Sequence, residues 1–298
     1  MTRLLTLTAM LALSVTGLAQ KPTAELGKAV VSTYGSWRSA MVRKDLSAWK
    51  RTTAAHRQIE VRNRLASEKS PFPAALFSLP TPPPSLDGLK LIHLSQKGAT
   101  AKAAFFGKVN FGVDGNPTDN VLVLSFVNTN GNWYYDRADF VNLAALPDVR
   151  KELAAGNMKY VSETPEFQAS GVVPPIPPAV PTAKYIAKVY VFCPGREVQV
   201  QVNQHSRHRF SNAKEAEIVI GGAKDGANSV TYSVRKLEGG TGKEAMAIRV
   251  YLMSEIPGTK PVMAYEYRVE EGAPLKAFGT GNFTVDAATA AKLVKGSR

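Results

Sequence analysis

The chain has 298 residues, 44% of them hydrophobic and 20% charged, with a single cysteine and a net charge of +13. That length suits about two domains at roughly 100–200 residues each, and the composition excludes collagen-like, disordered and multi-span membrane classes. One cysteine excludes a disulfide framework or a cysteine-rich metal site within the chain, and basic charge by itself names no partner.

Met1-Thr2-Arg3 precede an apolar run from Leu4 to Ala19 that ends on the small residues Gly17 and Ala19. A short basic start, an apolar core and small residues at the end predict a secretory signal peptide over 1–19, cut to leave Gln20. The run is shorter than the ~20 residues of a spanning helix. No cysteine follows it to carry a lipid. The expectation is an exported bacterial envelope protein, periplasmic or extracellular, with no membrane span after cleavage.

The next segment, 20–162, reads as one α+β domain. Leu26, Val30, Tyr34, Trp37 and Met41 recur at helical spacing and place one apolar face on a first helix. Asp45 stands where an N-cap starts a second helix through Leu46 and Trp49, and Ile59–Glu68 gives a third. A proline cluster from Pro71 to Pro84 ends the helical part. Four strands follow, Leu89–Gln96, Thr100–Phe111, Asn120–Thr129 and Asn132–Val141, with Asn130-Gly131 as a hairpin turn. In the third, Val121, Val123 and Val127 alternate with Leu122, Leu124 and Phe126, so both faces are apolar and both need cover. Helices take one face; a pocket, a partner or the second domain takes the other.

Three stretches carry a resemblance. They are the first helix with Tyr34 and Trp37, the run Lys44-Asp45-Leu46-Ser47-Ala48-Trp49, and Asn130-Gly131-Asn132-Trp133-Tyr134-Tyr135. Over about residues 24–145 the chain resembles the NTF2-like superfamily, a helical cone wrapped by a curved antiparallel sheet. That resemblance implies a pocket inside the cone, which Tyr34, Trp37, His56, His93, Trp133 and Tyr135 would line. Catalytic members of that family are cofactor-free isomerases or dehydratases with a buried acid–base pair, and no such pair maps here. Asp136 and Asp139 are three apart on a strand, hence on opposite faces.

The helical region is basic. Arg43, Lys44, Lys50, Arg51, Arg57, Arg62 and Arg64 suit an acidic glycan or an acidic envelope protein, set against a merely solvated face. Export and the lack of any nucleic-acid motif exclude a nucleic-acid partner.

Residues 163–183 hold Pro165, Pro174, Pro175, Pro177, Pro178 and Pro181, which read as an extended linker. From 184 to 298 the pattern is nearly all strand: Tyr185–Phe192, Glu197–Asn203, Glu217–Ile220, Ser229–Leu237, Ala245–Met253, Val262–Glu270 and Asn282–Val285, then a short helix at Ala287–Lys295. About seven short strands with Gly-rich turns predict a β-sandwich. Gly239-Gly240-Thr241-Gly242-Lys243-Glu244 echoes a phosphate loop, but Leu237 and Glu244 break the pattern, and a hairpin fits better. His205 and His208 point to opposite faces of a strand, so they form no metal pair, and the run 205–209 reads as a polar exposed hairpin. Cys193 reads as a small buried residue at a strand end.

The fold expectation is α+β, an NTF2-like helical cone with a curved antiparallel sheet, followed by an all-β sandwich. The functional expectation is a non-catalytic binding or assembly role in the envelope, with no metal or cofactor and with a homodimer as one form of assembly. The alternatives are a binder of a small ligand or acidic glycan, and an isomerase or hydrolase.

Overall fold

The computed structural model describes residues 23–109 and 118–294. The signal-like segment 1–19, the strand end at Asn110 and Phe111, and Lys295 of the final helix lie outside the described residues. Three helices open the described chain: α1 (Ala24–Arg43), α2 (Leu46–Thr52) and α3 (Ala55–Ser67). Strands β1 (Lys90–Lys97), β2 (Thr100–Val109), β3 (Thr118–Thr129) and β4 (Asn132–Asn142) follow, then α4 (Pro147–Ala154) and α5 (Lys159–Glu163). Eight more strands complete it: β5 (Ala187–Phe192), β6 (Arg196–Val202), β7 (Ser206–Ser211), β8 (Lys214–Ile218), β9 (Gly226–Lys236), β10 (Met246–Leu252), β11 (Val262–Val269) and β12 (Phe278–Val285). Helix α6 (Ala287–Leu293) is last. The chain divides into two compact units, Met1–Ala54 with Thr81–Pro174, and Ala55–Pro80 with Pro175–Arg298.

In the first unit local chemistry sets the helix ends. Thr23 Oγ1 accepts the Leu26 amide at 3.1 Å and opens α1. Lys44, at φ 56°, turns left-handed and closes it, and Asp45 Oδ1 then accepts the Ala48 amide at 2.9 Å to open α2. The sheet runs β1-β2-β3-β4, all antiparallel. Asn130 (φ 52°) and Gly131 (φ 82°) make the left-handed turn the sequence implies between β3 and β4.

Both faces of this sheet are covered from within the unit. On one, Leu26, Val30 and Tyr34 of α1 pack on Ala103, Phe105, Leu122, Leu124 and Phe126. On the other, Leu143, Leu153, Val161 and Phe167 pack on Ala104, Val121 and Val123.

This arrangement corrects the expected fold class of an NTF2-like helical cone followed by a sandwich. The protein is mostly β, with twelve strands in three antiparallel sheets among the described residues and few helices. The physical reason lies in where apolar surface is buried. The short helices of 143–167 take the second face of β3, and α3 groups with the C-terminal strands. Only α1 and α2 remain over the first face, too little helix to form a cone.

The second unit holds two four-stranded antiparallel sheets, β11-β10-β5-β8 and β12-β9-β6-β7, which share one core. Val198, Val200 and Val202 of β6 and Val230, Tyr232 and Val234 of β9 face Val189, Val191, Ile248 and Val250 in it. Cys193 is buried there at the end of β5. Gly279 and Gly281 of β12 are spaces for rings. A Cβ on Gly279 would lie 2.4 Å from Tyr232 Oη, and one on Gly281 2.3 Å from the Tyr265 ring. The segment read as an exposed hairpin is strand β7, with Ser206, His208 and Phe210 buried and His205, Arg207 and Arg209 exposed.

Candidate functional site

Four of the six candidate pocket residues come together. Trp37 and Tyr135 meet at a tilt with ring centres 4.0 Å apart, and Tyr34 stacks on Trp37 at 5.5 Å and lies 5.6 Å from Tyr135. Trp133 packs against the same cluster. These rings anchor α1 to the sheet. Tyr34 Oη donates to the Pro84 carbonyl at 2.8 Å, and Arg38 Nε donates to the Pro83 carbonyl at 2.8 Å, so the proline cluster is strapped to α1. Burial pushes the Tyr34 phenol up to about 12. The two histidines lie elsewhere. His93 Nε2 sits 3.4 Å from Gln168 Oε1, and Gln168 bonds the carbonyls of Val161 and Ser162 on the opposite face of the sheet. Burial lowers the His93 pKa more than that contact raises it. His56 is buried on α3 in the second unit.

The seven basic candidates also divide. Arg57, Arg62 and Arg64 lie on α3 in the second unit, and each has a local role. Arg57 pairs with Glu60 at 2.8 Å, Arg64 pairs with Glu68 at 3.2 Å, and Arg62 lies over the Phe72 ring at 5.4 Å. Arg43, Lys44, Lys50 and Arg51 stay in the first unit, around the turn from α1 to α2.

A groove of about 530 Å³ runs between these two helices, lined by Ser32, Gly35, Ser36, Ser39, Arg43, Ala48, Arg51 and Thr52. Ser32, Gly35, Ser36 and Ser39 follow 3-4 spacing, so short side chains line one stripe of α1. At its end Arg43 Nη2 donates to Ser39 Oγ at 2.6 Å, and across it Arg51 Nη1 donates to Ser47 Oγ at 2.6 Å. Both guanidinium groups are thus oriented by a serine one turn back on their own helix, and donors remain for an incoming acceptor. Sequence reasoning found the arginines but not the serine stripe. Its signal, small polar residues at 3-4 spacing opposite the apolar face, is present in the sequence.

A second constellation joins Ser206 and His208 of β7 to Glu217 of β8, which no spacing rule connects to them. His208 Nδ1 lies 2.5 Å from Glu217 Oε2, and His208 Nε2 lies 2.5 Å from Ser206 Oγ. The ring therefore bridges the Glu217 carboxylate at Nδ1 and the Ser206 hydroxyl at Nε2. The order of groups is that of a nucleophilic relay, but Ser206 is 0% exposed and its Oγ accepts the Ile220 amide at 2.8 Å. A nucleophile must reach a substrate carbonyl, and this hydroxyl is enclosed by its own partners. Since β7 and β8 are edge strands of different sheets, the relay ties one sheet to the other.

The loop that echoes a phosphate cradle is held by charge inside the chain. Glu244 accepts the amides of Thr241 at 2.6 Å and Gly242 at 2.9 Å. The backbone amide of Glu244 itself, together with those of Thr241 and Gly242, holds its carboxyl down to about 2, and Arg196 Nη2 donates to the Gly242 carbonyl at 2.8 Å. The amides that would face a phosphate in such a loop already serve Glu244. Among the described residues no group of three or more His, Cys, Asp or Glu side chains is placed to hold a metal. No described helix is long and apolar enough to cross a membrane. No protein-family model, curated protein or solved structure matches the chain.

Proposed function

We propose that the protein is a non-catalytic binder of the cell envelope that takes an acidic glycan in the groove between α1 and α2. The carrying observation is the pair Arg43 and Arg51, each held by a serine over a hydroxyl-lined groove. A guanidinium presents a planar fork that matches a carboxylate with two parallel hydrogen bonds. The groove's serine and threonine hydroxyls supply the exchangeable donors and acceptors that sugar hydroxyls need. Holding the arginines in place beforehand reduces the side-chain entropy lost on binding. The envelope setting rests on the apolar run Leu4–Ala19 and its small-residue end.

The test is calorimetric titration of the full chain with a galacturonate oligosaccharide. The Arg43→Ala/Arg51→Ala double variant is expected to weaken binding by about tenfold, the scale of one or two charge-assisted hydrogen bonds at a wet surface. Both substitutions are on the surface, so the melting temperature should stay near that of the native chain. Equal affinity in the two proteins would overturn the assignment of the groove.

A further inference from the structure

The outer face of the β12-β9-β6-β7 sheet carries an aromatic ring, hydroxyls, amides and arginines. Two rungs of its outward positions cross all four strands. Phe278 lies opposite Ser233, Ser233 opposite Gln199, and Gln199 opposite Arg209. One step along, Thr280 lies opposite Thr231, Thr231 opposite Gln201, and Gln201 opposite Arg207. Short hydroxyl side chains therefore sit on the central strand β9, with a ring on one side and long amide and guanidinium side chains on the other. The result is a trough of about 180 Å³ lined by Gln199, Gln201, Arg207, Thr231, Ser233 and Phe278. That is smaller than a drug-sized site and suits one monosaccharide unit of a chain.

Two features point to the occupant. Phe278 is 69% exposed, beside a floor of hydroxyls, so its face is open for stacking against an amphipathic ring. The charge is also one-sided. The outward positions of these strands carry Arg207, Arg209 and Arg235 against the single carboxylate of Glu197. Glu197 is already shared, with Arg209 Nη2 at 2.5 Å and Arg235 Nη2 at 2.9 Å. Arg207 instead donates from Nε to the uncharged Gln201 Oε1 at 3.2 Å. A site with an apolar ring, neutral amides and hydroxyls, and one arginine held by an amide recognises a sugar with an acidic substituent.

We propose that this sheet face is a second carbohydrate site, separate from the α1–α2 groove. It binds one uronate unit of an extended acidic polysaccharide, with the sugar ring stacked on Phe278 and its carboxylate on Arg207. An extended chain lying along a sheet can place successive units over successive rungs, so the site is open-ended along the strands.

The test uses the full chain carrying Arg43→Ala/Arg51→Ala, so that the first groove is weakened, and a galacturonate trisaccharide as probe. Titration is followed by amide NMR shifts. Saturable binding that moves the amides of Thr231 and Ser233 is expected. Adding Phe278→Ala or Arg207→Gln should weaken it by about fivefold, the scale of one aromatic or charged contact, whereas Phe278→Tyr should keep it. Amide spectra of the free proteins establish that each variant is folded. Absence of saturable shifts at Thr231 and Ser233 in that double variant, or shifts undiminished after Phe278→Ala, would overturn the second site. Failure of the first groove reads out separately, as unchanged affinity on Arg43→Ala/Arg51→Ala alone.

Discussion

Glu217 is the side chain through which acid reaches the edge between the two C-terminal sheets. The His208 hydrogen bond, aided by the charges of His208 and Arg64, holds its carboxyl below the ordinary 4.5 against the opposing effect of burial. A carboxyl whose folded pKa is depressed stabilises the fold above its unfolded value. It loses that contribution as pH falls from about 4.5 through the folded value. The melting temperature of the native chain should therefore exceed that of Glu217→Gln at pH 6, and the gap should close by pH 3. A gap of constant size across that range would contradict the sign. The inward side of His208 follows from its place two residues from Ser206 and Phe210 on one strand. Its partner does not follow from spacing, because Glu217 comes from the next strand, in the other sheet. The segment 205–209 is so polar that its alternation reads as an exposed hairpin.

At the scale of elements, β3 shows why a strand apolar on both faces demands two layers. Its alternating valine and leucine set is plain in the sequence, and the need for cover on both sides follows from it. What covers the second face does not. The helices α4 and α5 have eight and five residues, too short for a clear 3.6-residue pattern, and the anchors Leu153 on α4, Val161 on α5 and Phe167 just beyond α5 are widely spaced. Phe167 is 2% exposed and meets Tyr160 edge-on at 5.5 Å. Phe167→Ala should cost about 3–5 kcal/mol, the usual range for a buried phenylalanine. Urea unfolding measures it; a loss under about 1 kcal/mol would mean the second layer is dispensable. The proline-rich stretch shows the same limit at its other end. Asn63 on α3 donates from Nδ2 to the Pro178 carbonyl at 2.9 Å and accepts the Val180 amide on Oδ1 at 3.0 Å. One side-chain amide thus satisfies both backbone groups of an extended segment more than a hundred residues away, as a neighbouring strand would.

At the scale of the whole molecule, the net charge of +13 is a sum of unlike parts. Arginines on α3 are spent on Glu60, Glu68 and the Phe72 ring, whereas Arg43 and Arg51 are turned by serines toward a groove. Counting charge along the chain merges the two groups; only the fold separates them into different units. The central claim is that the groove between α1 and α2 binds an acidic glycan by charge and hydrogen bonding. The most direct measurement is the affinity of the unaltered full chain for a galacturonate oligosaccharide at low and at high salt. Saturable binding is expected that weakens several-fold as salt rises from about 0.05 to 0.5 M, because exposed guanidinium–carboxylate pairs are screened over about 10 Å or less. Absence of binding at low salt, or an affinity indifferent to salt, would contradict it.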